Sequence, residues 1–245
     1  MQPPRWLLLA CVIVVSGIGL LSKPQYANAY SCTSSHCYGT VAWNGLVTGS
    51  NVRIRAATTN MNSGTRFISN EMWLMDLSGA SCTVQGFSSG GTTWVETSFL
   101  ARSGAYTFFW ADCRPGKPFF SEVLASVPAS VYGTSPYFSI NRPSTAPTFS
   151  VTITSSGFSA NRTSIDNTMA PDRIRIGTEL FGSSGGFFGT ASWTHSRYVH
   201  NNNHIYQHRT GDSTIVNAPV QGWWQVPAAP GNNGGDWRTF CQCGT

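Results

Sequence analysis

Charge is what this 245-residue chain has least of. Lys, Arg, Asp and Glu together make up 10% of it, and only 10 residues are acidic. The formal net charge of +5 is spread thinly, and Arg5 and Lys23 near the amino end supply part of it. So weak and scattered a balance excludes a nucleic-acid surface, which needs clustered cations. Few carboxylates also leave few groups whose protonation would unfold the protein in acid. Beyond Leu21 there is no long apolar run, so nothing there reads as a membrane-spanning helix. No helical period is sustained, no fixed-period repeat recurs, and no Gly-rich phosphate loop leads from a strand into a helix.

What is present begins with an export leader, residues 1–29. Arg5 gives a positive start, an apolar run extends from Leu7 to Leu21, and Ala27-Asn28-Ala29 is a small-x-small cleavage site. The run is shorter than the roughly 20 residues a comfortable span requires. Leu8-Leu9-Ala10-Cys11 has the look of a lipid-attachment box, but most of the apolar run follows Cys11, so lipidation is not expected. Residues 30–245 are then expected to form one soluble, secreted domain with a substantial core, most simply a monomer.

Of the 7 cysteines, Cys11 falls in the leader. Cys32, Cys37, Cys82, Cys113, Cys241 and Cys243 remain, an even set that in an exported chain reads as a disulfide framework. Cys241 and Cys243 are too close for an easy mutual bridge, so both are expected to reach back to Cys32 and Cys37. Cys82 with Cys113 would staple neighbouring strands. A Cys-x-Cys metal site is the weaker alternative in an oxidising compartment.

Between 40 and 226 the chain reads as one short strand after another. Candidate strands are 40–43, 51–58, 70–77, 82–87, 92–100, 106–112 and 119–127, then 136–141, 148–154, 173–181, 189–196 and 221–226. Ser-Gly, Gly-Gly and Asn-Gly pairs punctuate them at short spacing, which predicts an all-β sandwich of two antiparallel sheets. Residues 158–172 are expected to be a long surface connection and 228–237 a second irregular stretch. Residues 30–38 read as a cysteine-bearing lead-in.

Two of these strands carry a glutamate on the face opposite their apolar residues. In 92–100 (Thr-Thr-Trp-Val-Glu-Thr-Ser-Phe-Leu), Val95, Thr97 and Phe99 share one face and Trp94, Glu96 and Ser98 the other. In 173–180, Ile174, Ile176, Thr178 and Leu180 are opposed by Arg173, Arg175, Gly177 and Glu179. Two such glutamates meeting in one groove can hydrolyse a glycoside, activate water against a peptide, or bind a cation. Trp94 beside Glu96 would raise its pKa, as a proton donor requires, while Arg175 would keep Glu179 ionised. The simpler alternative is a pair of solvated glutamates in ordinary cross-strand ion pairs.

Trp94-Val95-Glu96 with Phe99, then Phe108-Phe109-Trp110-Ala111, then Ile176-Gly177-Thr178-Glu179, together resemble the strand order of neprosin-type glutamic peptidases. The resemblance spans roughly 92–193. It implies a concanavalin-like (jelly-roll) β-sandwich that hydrolyses proteins in acid with paired glutamates, Glu96 and Glu179 here, and without a cofactor. The sequence departs from that family at Thr97-Ser98-Phe99, at Gly177-Thr178, and in having no room for the plant-type propeptide domain. Trp94, Trp110, Asp112 and Arg175 are the expected substrate contacts, with a protein or peptide as partner. Asp112 has Arg114 nearby as a simpler neutraliser. A carbohydrate-binding or glycoside-hydrolysing sandwich is the alternative, with the tryptophans as a sugar platform.

His195, His200, His204 and His208 invite a metal reading. Asn201-Asn202-Asn203 is turn chemistry, however, and no His-Glu-x-x-His motif accompanies them, so a polar hairpin tip is expected and no metal. Gly-x-Ser-x-Gly occurs around Ser88 and Ser184, but within Ser/Gly-rich turns that lack the helix a nucleophile elbow needs.

Overall fold

The computed structural model describes residues 36–56, 59–60, 65–84, 86–142, 147–182, 187–188, 191–200, 205–207, 214–216, 223–227 and 237–241. Its strands are β1 (His36–Asn44), β2 (Val47–Ile54), β3 (Thr59–Asn60), β4 (Thr65–Asp76), β5 (Thr83–Val84), β6 (Phe87–Ser88), β7 (Thr93–Arg102), β8 (Ala105–Cys113), β9 (Phe120–Ser126) and β10 (Tyr137–Asn141). Then follow β11 (Thr148–Ser155), β12 (Phe158–Asp166), β13 (Arg173–Gly182), β14 (Phe187–Phe188), β15 (Ala191–His200), β16 (Ile205–Gln207), β17 (Thr214–Val216), β18 (Trp223–Pro227) and β19 (Trp237–Cys241). A single 3-10 turn, Ala129–Val131, interrupts them among the described residues.

Two antiparallel sheets result. The first runs β17-β1-β13-β4-β7-β8-β9, the second β12-β11-β10-β2-β15-β19-β18 with β16 on β15. The core lies between them because alternate residues of each strand point inward. In β11 the alternation is plain: Phe149, Val151 and Ile153 are buried, and their neighbours are half-exposed. Val95, Phe99 and Phe108 from the first sheet meet Val52, Phe138 and Ile140 from the second. The Phe108 ring lies 5.8 Å from Phe138 and 5.2 Å from Phe158. Truncating a ring so enclosed costs about 3–5 kcal/mol. The sandwich inferred from turn spacing is therefore the observed fold.

One hairpin fixes the register on which the site depends. Arg102 pairs with Ala105, leaving Ser103 and Gly104 as a two-residue turn, both with positive φ (51° and 78°). That is the mirror-image turn whose twist suits antiparallel strands. It sets Glu96 opposite Ala111 and Thr97 opposite Trp110.

Two expectations are corrected. Residues 158–166, read as loop, form β12 along β11 at the sheet edge. Asn161, Arg162 and Thr163 within it are exposed and polar, which gives this strand the composition of a loop. The lead-in 30–38 is in part strand, since β1 begins at His36. The irregular stretch ends at Trp237, where β19 begins; 228–236 lie outside the described residues, as does the leader. The Cys82–Cys113 bridge is present, with a Cα–Cα distance of 5.3 Å. Cys37 and Cys241 lie on β1 and β19, and Cys32 and Cys243 lie outside the described residues.

Candidate active site

The central strand of the site is β4, which pairs with β13 on one side and β7 on the other. Its inward residues are Ile68, Asn70, Met72 and Leu74, all buried, with Asn70 Oδ1 accepting a hydrogen bond from Thr178 Oγ1 at 2.8 Å. Ser69, Glu71 and Trp73 occupy the other face. Across from them, Glu179 stands opposite Ser69, Gly177 opposite Glu71, and Arg175 opposite Trp73. On the β7 side, Ser98 stands opposite Glu71 and Glu96 opposite Trp73. Glu96 and Glu179 therefore lie on one face of one sheet, diagonal to each other across β4. Glu71 stands between them, flanked by Gly177 and Ser98, which offer little side chain to crowd it.

All three carboxyls are withdrawn from water: Glu71 is 0% exposed, Glu96 6% and Glu179 9%. Burial is the main cause that pushes the Glu96 pKa up to about 8, and the charge of Glu179 adds to it. The indole N–H groups of Trp73 and Trp94, on the same face, oppose the rise, although Trp94 Nε1 makes no hydrogen bond. Glu71 is pushed well above the usual carboxylate range, first by burial and then by the charges of Glu96 and Glu179. Glu71 was not among the residues singled out in the sequence. The signal was available, since it alternates with Trp73 as Glu96 does with Trp94.

Glu96 and Glu179 open into a groove of about 550 Å³, walled by Phe67, Trp73, Trp94, Phe109, Phe119 and Val123. Trp94 and Phe119 pack with ring centroids 6.0 Å apart. Val84, from the β5–β6 hairpin, closes one side. That hairpin is tied down by the neighbouring Cys82–Cys113 bridge and by the Phe119 N–H, which donates to the Thr83 carbonyl at 2.7 Å.

The remaining candidates divide. Trp94 lines the groove. Arg175 braces it instead of lining it: its guanidinium lies 5.6 Å from the Trp73 ring centre, and its Nε donates to Thr40 Oγ1 at 2.7 Å. Trp110 and Asp112 face the other way, correcting their reading as substrate contacts. Trp110 is opposite Thr97 and Asp112 opposite Val95, both core-facing residues of β7. Trp110 is buried against Phe120 and donates from Nε1 to Glu122 Oε2 at 3.0 Å. Asp112 lies 3.0 Å from Arg114; burial pushes its pKa up to about 6 against the pull of that arginine. His195 and His200 belong to β15, while His204 and His208 lie outside the described residues. No group of three or more His, Cys, Asp or Glu is arranged to hold a metal among the described residues. Ser88 ends the short β6, with no helix after it, and Ser184 lies outside the described residues.

No protein-family profile and no curated protein matches the sequence. Solved structures do match the fold. Scytalido-glutamic peptidase with a peptide-based transition state analog aligns with a TM-score of 0.60 and 10% identity, over 84% of this chain and 98% of that one. The same peptidase with a transition state analog inhibitor gives 0.57 at 10% identity and the same coverage. SCP-B, a member of the Eqolisin family of peptidases, in a complex with the tripeptide Ala-Ile-His, gives 0.57 at 9% identity over 84% and 98% of the two chains. The eqolisin type differs from the neprosin type that the motifs resemble, and at such identity the likeness is one of fold. This chain has the β-sandwich fold of solved glutamic peptidases.

Proposed function

We propose that this chain is a secreted acid endopeptidase, of the neprosin type its motifs resemble, in which Glu96 and Glu179 activate water against a peptide bond. One observation carries the reading. Two nearly buried glutamates from strands flanking β4 open into a single groove, where burial pushes the Glu96 pKa up to about 8. The fold shared with glutamic peptidases supports it.

In the proposed reaction Glu179 takes a proton from a bound water as the water oxygen attacks the peptide carbonyl. The Glu96 hydroxyl donates to the carbonyl oxygen as negative charge develops there. The intermediate collapses, Glu96 recovers its proton, and the C–N bond breaks as the proton held by Glu179 passes to the leaving nitrogen. The products are a carboxylic acid and an amine, and both glutamates return to their starting states. One protonated and one ionised carboxyl are required, which confines the chemistry to pH below the ionisation of Glu96. The substrate would lie extended. β9 is the edge strand of its sheet, and its Ser121 and Val123 line the groove, so its free backbone can pair with a peptide. The aromatic walls favour peptides with large apolar side chains.

The test is cleavage of an unfolded, proline-containing protein from acid to neutral pH by the wild type, Glu96→Gln and Glu179→Gln. The expected result is acid-dependent cleavage that falls by roughly 10²–10⁴ in each variant. A folded wild type that cleaves nothing at any pH would overturn the peptidase reading and turn attention to glycan binding.

A further inference from the structure

Glu71 is the glutamate that the proposed reaction leaves unused, and its surroundings are unusual. It is fully buried behind the groove, with Ser98 beside it on β7 and Gly177 on β13. Ser69 Oγ donates a hydrogen bond to Glu71 Oε1. Glu71 Oε2 is buried and receives none. The charged and titratable groups around it are Glu96 on β7, Glu179 and Arg175 on β13, and Asp112 of β8 behind Glu96 on the far side of the sheet. Arg175 is turned to Thr40 and the Trp73 ring. A carboxylate at this position would be a buried charge with one hydroxyl donor and two acidic neighbours, a costly arrangement. A neutral carboxyl fits it. One oxygen accepts from Ser69, and the other can carry a hydrogen for Glu179, the diagonal neighbour of Glu71 on the adjoining strand.

We propose that Glu71 is a positioning residue for the peptidase reaction: a neutral carboxyl, anchored by Ser69, that donates a hydrogen bond to Glu179 and aims that carboxylate into the groove. This rests on the reading of Glu96 and Glu179 given above. Burial of Glu71 and the charges beside it act in the same direction, favouring its protonated form. A donor to an acceptor carboxylate favours the charged form of that acceptor and removes its freedom to rotate. Glu71 touches neither water nor substrate and acts only through Glu179.

Glu71→Met keeps bulk without a donor, whereas Glu71→Gln keeps both the acceptor for Ser69 and an N–H for Glu179. The Met variant should lose kcat by up to about 10²-fold, as misplacing a reacting group does, with KM little changed. The shape of its pH profile should change as well, because the base has lost the donor that fixes it. Glu71→Gln should restore most of kcat and the wild-type profile. In infrared spectra at neutral pH, the wild type should show a protonated-carboxyl band of Glu71 beside that of Glu96, and Glu71→Gln should keep only the Glu96 band. A Met variant with wild-type kcat and profile, a Gln variant as impaired as Met, or no Glu71 band would overturn the proposal. A wild type that cleaves nothing removes the peptidase reading itself, and the infrared comparison still decides whether Glu71 is the neutral donor. If the Met variant does not fold, the Gln profile and the band decide.

Discussion

Strand β4 carries two acidic side chains, Glu71 and Asp76, and both are buried: 0% and 5% exposed. Their pKa values are pushed in opposite directions. Asp76 closes the strand on its core-facing side, where the chain turns back on it. The Ser78 N–H donates to Oδ1 at 2.8 Å and the Ala170 N–H to Oδ2 at 2.9 Å. Burial alone would raise the Asp76 pKa, but the Ser78 hydroxyl and these backbone donors outweigh it and leave it below the usual range. Glu71 has one hydroxyl donor and two carboxyl neighbours, and the single donor from Ser69 is outweighed by burial and by their charges. Burial therefore does not decide the protonation state on this strand; the supply of donors does. The carboxylate with several donors pins the 167–172 segment to the sheet, and Glu71, with its one hydroxyl donor, lies behind the groove.

If that contrast holds, stability and activity should respond differently to the same kind of substitution. The largest effect concerns Glu96. Its pKa rises from about 4.5 unfolded to about 8 folded, so its contribution is fully present below the lower value and is lost as pH rises towards the higher one. The wild type should melt at progressively lower temperature between about pH 5 and pH 8. Glu96→Gln, a neutral mimic of the protonated form, should flatten that decline while abolishing cleavage. A wild-type melting temperature that climbs over this interval would contradict the assignment of Glu96 as a buried acid.

Asp76→Asn should do the reverse. It removes charge-assisted hydrogen bonds of a kind worth about 1.5–3 kcal/mol each, so the loss of stability near neutral pH should be of that order. The sign is opposite because the folded pKa is depressed. The Asp76 contribution is present above the unfolded carboxyl range and is lost as pH falls through the folded value. The deficit of Asp76→Asn, measured by denaturant unfolding, should accordingly shrink in strong acid. A deficit that grows in acid would break the comparison.

Much of this arrangement was legible in the sequence, and the part that was not has a definite cause. Alternation alone put Glu96 beside Trp94 and Glu179 beside Arg175 on polar faces, and the structure keeps those faces. Alternation says nothing about which strands become neighbours. Nothing local announces that β4 lies between β7 and β13, so Glu71 was overlooked within a strand whose existence was read correctly. Trp110 and Asp112 are a different case. They were expected as substrate contacts beside Glu96, whereas the register sets them opposite Thr97 and Val95 on the core side. Ser103-Gly104 could have resolved it, because a two-residue mirror-image turn there dictates that Trp110 opposes Thr97, on the core side. Residues 158–166 were missed because an edge strand with one polar face resembles a loop in composition.

The smallest test compares the two serines that serve these carboxyls. Ser78→Ala removes the hydroxyl from Asp76, and Ser69→Ala removes the hydroxyl from Glu71. Hydrogen bonds to a charged partner are worth more than those to a neutral one, about 1.5–3 against 0.5–1.5 kcal/mol. Asp76 keeps two backbone donors, so the cost of Ser78→Ala should lie near the lower end of the charged range. It should also fade as acid protonates Asp76. The cost of Ser69→Ala should fall in the neutral range and vary less with pH, because burial and the neighbouring carboxyls favour the neutral form of Glu71. Denaturant unfolding of both variants at three pH values separates the cases. A Ser69→Ala cost that varies with pH as the Ser78→Ala cost does would mean that Glu71 is ionised in the folded protein, and the distinction between the two ends of β4 would disappear.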